Sequence, residues 1–388
     1  MQARQTSEDV LAHLVAFETV SDRSNLDLIS YVEAYLAGYG ISAVRVPDAS
    51  GEKAGLYAEI GPSVAGGVIL SGHTDVVPVV GQDWTSDAFA LTERNGRLYG
   101  RGTCDMKGFL ASALAAVPRM LSAGIARPIQ LAFSYDEEVG CLGAPPLIAR
   151  MREDLAPAAA VIVGEPTGMQ VVTGHKSICE IATHVRGYEV HSSLMHQGVS
   201  AVMTAARLIA WVDAQSRENA AAAAGLGTGY EPPWTTLHVG RVEGGTAHNI
   251  TARDCAFSVD IRGLPTEPLE DWIARYRAFA AEIDAEIRAV RPSAGVSVEV
   301  ASSVPGCRAE RDGAAEALAR RLTGDNGTHV VSYATEAGQF QDGGYSTIVC
   351  GPGSIEQAHQ GDEFIARSEL AACDAFMDRL IADLARAA

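Results

Sequence analysis

Short apolar runs alternate with stretches of helical periodicity in the N-terminal part of the chain. Ser7 stands where a helix N-cap is expected, with Val10, Leu11, Leu14 and Val15 on one face. A second helix is expected over residues 25–36, ending near Gly38 and Gly40. Residues 43–46, 56–60 and 68–70 read as strands. Polar, turn-rich residues 83–95 then lead through a glycine-rich turn into an Ala/Leu helix over 109–122. Further strands follow at 129–133 and 160–163, separated by a helix at 144–151. Strands alternating with helices predict an α/β fold with a mostly parallel sheet flanked by helices.

The texture changes near Ser177. Residues 178–185 read as a strand and 199–212 as a helix. Two strands (235–242 and 255–261), a long helix (269–288) and a last strand (296–300) follow. The order β-α-β-β-α-β is that of a small ferredoxin-like module. The alanine-rich residues 220–229 form a loop or a helix extension within it. Helical and strand patterns then resume, with a helix at 313–322, strands at 329–333 and 347–350, and a C-terminal helix at 368–386. The second domain is therefore inserted into the first. The expected division is a catalytic domain of residues 1–176 and 293–388, interrupted by a second domain of residues 177–292.

Composition narrows the class. Over 388 residues, 47% hydrophobic and 20% charged positions describe an ordinary globular enzyme. A net charge of −18 argues against nucleic acid or an anionic membrane as partner, because both require clustered Lys and Arg. Seven scattered cysteines without a C-x-x-C pair fit reduced thiols and a cytoplasmic location. The N-terminus carries no apolar segment of signal type, and no apolar run is long enough to span a membrane.

The apolar run at 68–70 leads into Ser71-Gly72-His73-Thr74-Asp75. In extended backbone His73 and Asp75 share a face, so the carboxylate can fix the imidazole tautomer. Glu137 and Glu138 follow the strand at 129–133, Glu165 follows that at 160–163, and His359 lies shortly after 347–350. Asp105 sits between a glycine-rich turn and a helix start. Singly, each has another reading: a helix cap for Asp105, a turn residue for Glu165, a surface loop for His359. Jointly they lie at strand ends, where open α/β sheets gather ligands. Two histidines and three carboxylates suit zinc or a similar divalent ion better than calcium. Five ligands suffice for two ions sharing a carboxylate, and one acid of the Glu137–Glu138 pair remains as a base. Water held by such an ion has its pKa lowered towards ~7, so the implied chemistry is hydrolysis.

His73-Thr74-Asp75, Gly102-Thr103-Cys104-Asp105-Met106-Lys107-Gly108, Asp136-Glu137-Glu138 and Gly164-Glu165-Pro166-Thr167 match one family in order and spacing. The chain resembles the dinuclear zinc amidohydrolases that include acetylornithine deacetylase and succinyl-diaminopimelate desuccinylase. The resemblance implies two divalent ions, Zn or Co. Asp105 would bridge them, His73 and Glu165 would bind one, and Glu138 and His359 the other. It also implies a cis Asp105–Met106 peptide, Glu137 as general base, and Asp75 as the residue that orients His73. The inserted domain would be a lid and dimerisation domain. Its His191, in Gly187-Tyr188-Glu189-Val190-His191-Ser192-Ser193, would enter the active site of the other subunit of a homodimer. Asn249, Arg262 and Lys176 would hold the substrate carboxylate. Arg262 also reads as a surface ion pair, and His191 as a hydrogen-bonded strand-end histidine.

Thr335-Glu336-Ala337-Gly338 and the segment around His359 favour the acetylornithine branch. A carboxylate at Glu336 would meet the side-chain ammonium of ornithine. The expected reaction is amide hydrolysis of an N-acyl-L-amino acid, N2-acetyl-L-ornithine first. Acetylcitrulline, succinyl-diaminopimelate, a dipeptide or a non-catalytic binding role remain as alternatives.

Overall fold

A computed structural model of the chain describes residues 5–223 and 225–386. The chain divides into two compact units. The first comprises 1–174, 309–329 and 335–388, and the second comprises 175–308 and 330–334. The second crossing thus falls after Arg308, later than the 292–293 boundary expected above. The reason is local: strand Gly295–Val304 pairs along Ser177–Arg186, from Gly295 opposite Arg186 to Val304 opposite Ile178, and so belongs to the small sheet.

In the first unit the sheet order begins Ala43–Pro47, Ala54–Ile60, Ile129–Ser134, Val68–His73, Ala160–Pro166, Thr347–Gly351. Val172 pairs with Val349 and so adds a further strand beside Thr347–Gly351. The three central pairings, Ile129–Ser134 with Val68–His73, Val68–His73 with Ala160–Pro166, and Ala160–Pro166 with Thr347–Gly351, are parallel. The α/β expectation holds for this centre, while the flanks are antiparallel. The central strands are buried along their whole length, which is why they read as continuous apolar runs and not as alternation.

Two glycines let helix Gly108–Ser122 and the turn before it press against the strand ends. A Cβ at Gly164 would stand 2.0 Å from the Phe109 ring, and one at Gly72 would stand 2.5 Å from Met106 Cε. The N-cap of the first helix is Thr6, one residue earlier than expected. Thr6 Oγ1 accepts from Asp9 N, and Asp9 Oδ2 accepts from Thr6 N, a closed capping box. A small third sheet joins Thr92–Arg94 and Arg97–Tyr99, in the stretch read from sequence as turns, to Phe364–Ala366 just before the C-terminal helix. Its strands are three residues each, too short to show a period.

The second unit has the strand order Thr236–Gly244, Asp254–Gly263, Ser177–Arg186, Gly295–Val304, with every pairing antiparallel. This is the ferredoxin-like arrangement expected from the element order. Ser177–Arg186 alternates between buried and exposed positions along its length. One face of the sheet is covered by helices Ala201–Ala222 and Leu269–Val290, which meet through Trp211 stacked on Phe279. Helix Ala201–Ala222 runs past 212 because its alanine-rich end has high helix propensity. No helix among the described residues is long and apolar enough to cross a membrane.

Candidate metal centre

His73 is the last residue of its strand and is 1% exposed. The strand end is tied to its neighbour: Thr74 N and Thr74 Oγ1 both donate to the Ser134 carbonyl, at 3.0 and 2.7 Å. His73 Nδ1–H donates to the Asp75 carbonyl at 2.9 Å, which leaves Nε2 facing Asp105 Oδ1 at 3.1 Å and Glu165 Oε1 at 3.7 Å. With Nδ1 given to the carbonyl, Nε2 is the nitrogen aimed at the carboxylates and the one that can ligate a metal once its proton is lost. From the opposite side, His359 Nε2 lies 3.2 Å from Asp105 Oδ2 and 3.0 Å from Glu138 Oε2. The Asp105 carboxylate therefore stands between two imidazoles, one on each oxygen. Ligand atoms of His73, Glu137 and Glu165 lie within 4.8 Å of one another, as do those of His73, Asp105 and Glu138.

Asp75 does more than face the imidazole. Its carboxylate, 3.5 Å from His73 Nδ1, accepts from Ser21 Oγ at 2.7 Å and from the backbone N–H of Glu137 and Glu138 at 3.2 and 3.3 Å. One side chain thus fixes His73 and the turn that carries both glutamates. Asp75→Asn would put an amide N–H against at least one of those donors. The expected result is a loss of metal affinity of about 10- to 100-fold, read by competition with a chromophoric chelator. Unchanged affinity would show that backbone contacts alone hold the turn.

Asp105 rides on Thr103–Lys107, a tight turn with non-helical dihedrals at Asp105 and Met106, and the Asp105–Met106 peptide is cis. What holds this turn is a residue given no role from sequence. The buried Glu363 carboxylate accepts from the backbone N–H of Gly102, Cys104 and Asp105, at 3.0, 2.9 and 3.1 Å. Arg101 Nη1 completes it at 2.7 Å, with both side chains 1% exposed. The one available signal was the order Arg101-Gly102 and Asp362-Glu363, opposite charges beside glycine-rich turns 262 residues apart. Glu363→Ala leaves a buried guanidinium unpaired, and such losses run to about 3–5 kcal/mol. Denaturant unfolding of the metal-free protein checks it; a change below about 1 kcal/mol, the size of an exposed pair, would refute it.

The cluster is strongly anionic. Burial, reinforced by Asp105, pushes the carboxyls of Glu138 and Glu165 up, Glu165 well above the usual range. Burial also raises Glu137 well above it, with Glu138, Asp105 and Glu336 adding to the effect against His73. For His73, burial alone would disfavour the cation, but hydrogen bonds to Asp105 and Asp75 outweigh it and raise the pKa well above its ordinary value. His359, hydrogen-bonded to Asp105 and Glu138, is raised to about 10. Burial would raise Asp105 too, yet the hydrogen bonds from His359 and His73 win and lower it. The imidazoles thus hold protons where the carboxylates demand positive charge. Glu165 Oε1 is buried with no hydrogen-bond partner, although a carboxylate oxygen out of water needs one. Hard nitrogen and oxygen donors, excess negative charge and an orphaned oxygen all fit divalent cations.

Glu336 corrects an expectation. It is 1% exposed and turned inward, with Oε1 accepting from Ser134 Oγ and Oε2 from Ser71 Oγ at 3.2 Å. Both oxygens are engaged beneath the cluster, so no open carboxylate awaits an ammonium. Lys176 is corrected likewise: it is buried, and Nζ donates to the carbonyls of Pro232 and Trp234 at 2.8 and 2.7 Å, tying a loop of the second unit. The other candidates on that unit are open. Arg262 Nε donates to Asp260 at 3.0 Å from the half-exposed surface. Asn249 is exposed, and its carbonyl accepts from Ser192 N at 2.9 Å. Exposed His191 caps a short helical turn, its Nδ1 accepting from Ser193 N at 3.2 Å.

Known proteins are similar to this chain in sequence or in fold. Acetylornithine deacetylase of Myxococcus xanthus is 36% identical over 388 residues, covering 96% of each chain. A metallo-carboxypeptidase of family M20 from Sulfolobus solfataricus, Sso-CP2, superposes with a TM-score of 0.78 at 17% identity, covering 99% of this chain and 100% of that one. The YXEP protein of Bacillus subtilis, a dinuclear metal-binding peptidase of family M20, gives 0.62 at 16% identity over 97% of each chain. Residues 69–383 match the description "Peptidase family M20/M25/M40". That span takes in every member of the cluster from His73 to His359 and the ferredoxin-like insertion between them; the chain belongs to peptidase family M20/M25/M40.

Proposed function

We propose that this chain hydrolyses the amide of an N-acyl-L-amino acid, with N2-acetyl-L-ornithine as substrate and L-ornithine and acetate as products. The substrate is supported by near-full-length similarity to acetylornithine deacetylase, and the chemistry by one observation: Asp105 stands between His73 and His359 with the Glu137 carboxyl alongside. His73, Asp105 and Glu165 would hold one divalent ion, zinc or cobalt, and Asp105, Glu138 and His359 a second. Bound there, the ions supply Lewis acidity toward water and the scissile carbonyl.

The chain's own residues do the rest. Glu137 groups with His73 and Glu165 as a possible ligand, but it makes no ion pair with either imidazole, and its raised proton affinity suits a base. It takes the proton of the attacking water and delivers it to the leaving amine nitrogen. Asp75 keeps His73 Nε2 turned inward. Arg262 and Asn249 hold the substrate carboxylate, Arg262 through its guanidinium fork. The chain works as a homodimer in which the partner subunit's His191 donates to the developing oxyanion. An open sheet face and exposed His191 support that arrangement. All seven cysteines are buried and none is in a disulfide, which supports a reducing cytoplasmic setting.

Amine release from acetylornithine, acetylcitrulline, acetylmethionine and succinyl-diaminopimelate, with and without added zinc or cobalt, tests the reading. Acetylornithine is expected to lead and chelation to abolish release. Zinc binding without turnover of any panel member would refute it. Because Glu336 faces inward, Glu336→Gln should change kcat/KM for acetylornithine and acetylmethionine by the same factor. A loss confined to acetylornithine would show that Glu336 does contact the ornithine side chain.

A further inference from the structure

The Glu137 carboxyl is held at a single point. Its Oε1 lies 3.4 Å from Cys141 Sγ, and among the described residues no other side chain hydrogen-bonds to it. The contact follows from the shape of the turn. Gly140 N and Cys141 N both donate to the Glu137 carbonyl at 3.0 Å, and Leu142 N and Gly143 N donate to Asp136 and Tyr135 at 3.1 and 3.0 Å. Cys141 takes φ 53°, a left-handed conformation uncommon for a residue with a side chain. The chain thereby doubles back and lays the thiol on the carboxylate four residues before it. Behind the turn, Gln339 Nε2 donates to the Cys141 carbonyl at 3.0 Å, so the neighbouring helix fixes the thiol's position.

We propose that Cys141 is a positioning residue for the general base: its S–H holds Glu137 Oε1, leaving Oε2 turned toward the water whose proton it takes. This rests on the assignment of Glu137 above. The thiol is 3% exposed, and burial next to the Glu137 charge favours S–H over thiolate, so the group is a donor. A thiol donates weakly. It can select one rotamer of a carboxylate that otherwise has only nearby anions and an imidazole for company, without binding the charge tightly enough to remove its basicity.

Cys141→Ala and Cys141→Ser, both metal-loaded, test this together with an infrared measurement on the metal-free protein. A neutral hydrogen bond of ordinary strength corresponds to about a fivefold change in rate. Cys141→Ala should therefore lower kcat by about fivefold with KM and metal content unchanged, and Cys141→Ser, which keeps a donor, should recover most of the loss. The S–H stretch of Cys141, isolated by subtracting the Cys141→Ser spectrum, should shift toward a free thiol in Glu137→Ala. An unchanged kcat in Cys141→Ala, equal losses in both variants accompanied by lost metal, or an S–H band indifferent to Glu137 would each overturn the proposal. An inactive wild type with a Glu137-dependent band would instead sink the hydrolase reading; an active wild type with an unaffected Cys141→Ala sinks only this one.

Discussion

Glu137→Gln abolishes amide hydrolysis while leaving the metal site loaded: kcat falls by about a thousandfold, within the range typical of a lost general base, and bound metal stays at the wild-type level. The substitution keeps the side chain's length and its capacity to accept from Cys141, but an amide cannot take a proton. Specificity for kcat follows from placement. Asp105, Glu138, Glu165, His73 and His359 face one another in ion pairs or as close neighbours, whereas Glu137 stands beside them without a pair. Steady-state rates with metal analysis on the same samples check the result. Loss of activity in parallel with loss of metal would make Glu137 a ligand and move the base elsewhere.

The second large effect is on metal affinity as a function of pH. In the metal-free protein His73 is raised well above its ordinary value and His359 to about 10, so both imidazoles carry protons near neutrality. Burial also gives the ligand carboxyls of Glu138 and Glu165 raised proton affinity. Ligation requires neutral imidazole and ionised carboxylate, so binding must expel protons. Affinity should therefore rise with pH toward the His359 value of about 10 and fall as the solution is acidified. Titration calorimetry in two buffers of different ionisation heat measures the protons released; a pH-independent affinity would contradict the ion pairs.

Stability follows the same linkage with its own sign. The raised histidines stabilise the metal-free fold fully below the unfolded imidazole value of about 6.5. That contribution is lost as pH rises through about 10 for His359, and it is modest there because the side chain is half exposed. Metal at a hundredfold excess over Kd adds about 2.7 kcal/mol by mass action, so melting of the loaded protein should depend on metal concentration and that of the stripped protein on pH.

The sequence by itself determined the sheet's centre and the residues at its rim. Continuous apolar runs at 68–70, 129–133 and 160–163 mark strands buried on both faces, and a chain that must stop a buried strand does so at a turn. His73, Glu137, Glu138 and Glu165 were therefore legible as strand-end residues, and the ferredoxin-like insertion was legible from its element order. Only the tertiary structure decided where polar side chains find partners. Glu363 grips the Asp105 turn from far along the chain, Glu336 turns under two serines instead of outward, Lys176 spends its ammonium on two carbonyls, and Cys141 reaches Glu137 through a left-handed residue. Hydrophobic period records which face of an element is buried, because burial repeats along the element. A hydrogen bond is a single event between two points, and no period along the chain announces it. That is why His73, the Asp75 that aims it and the other strand-end residues could be found by reading, while Glu363 and Cys141, which restrain Asp105 and Glu137, appeared only once the chain was folded.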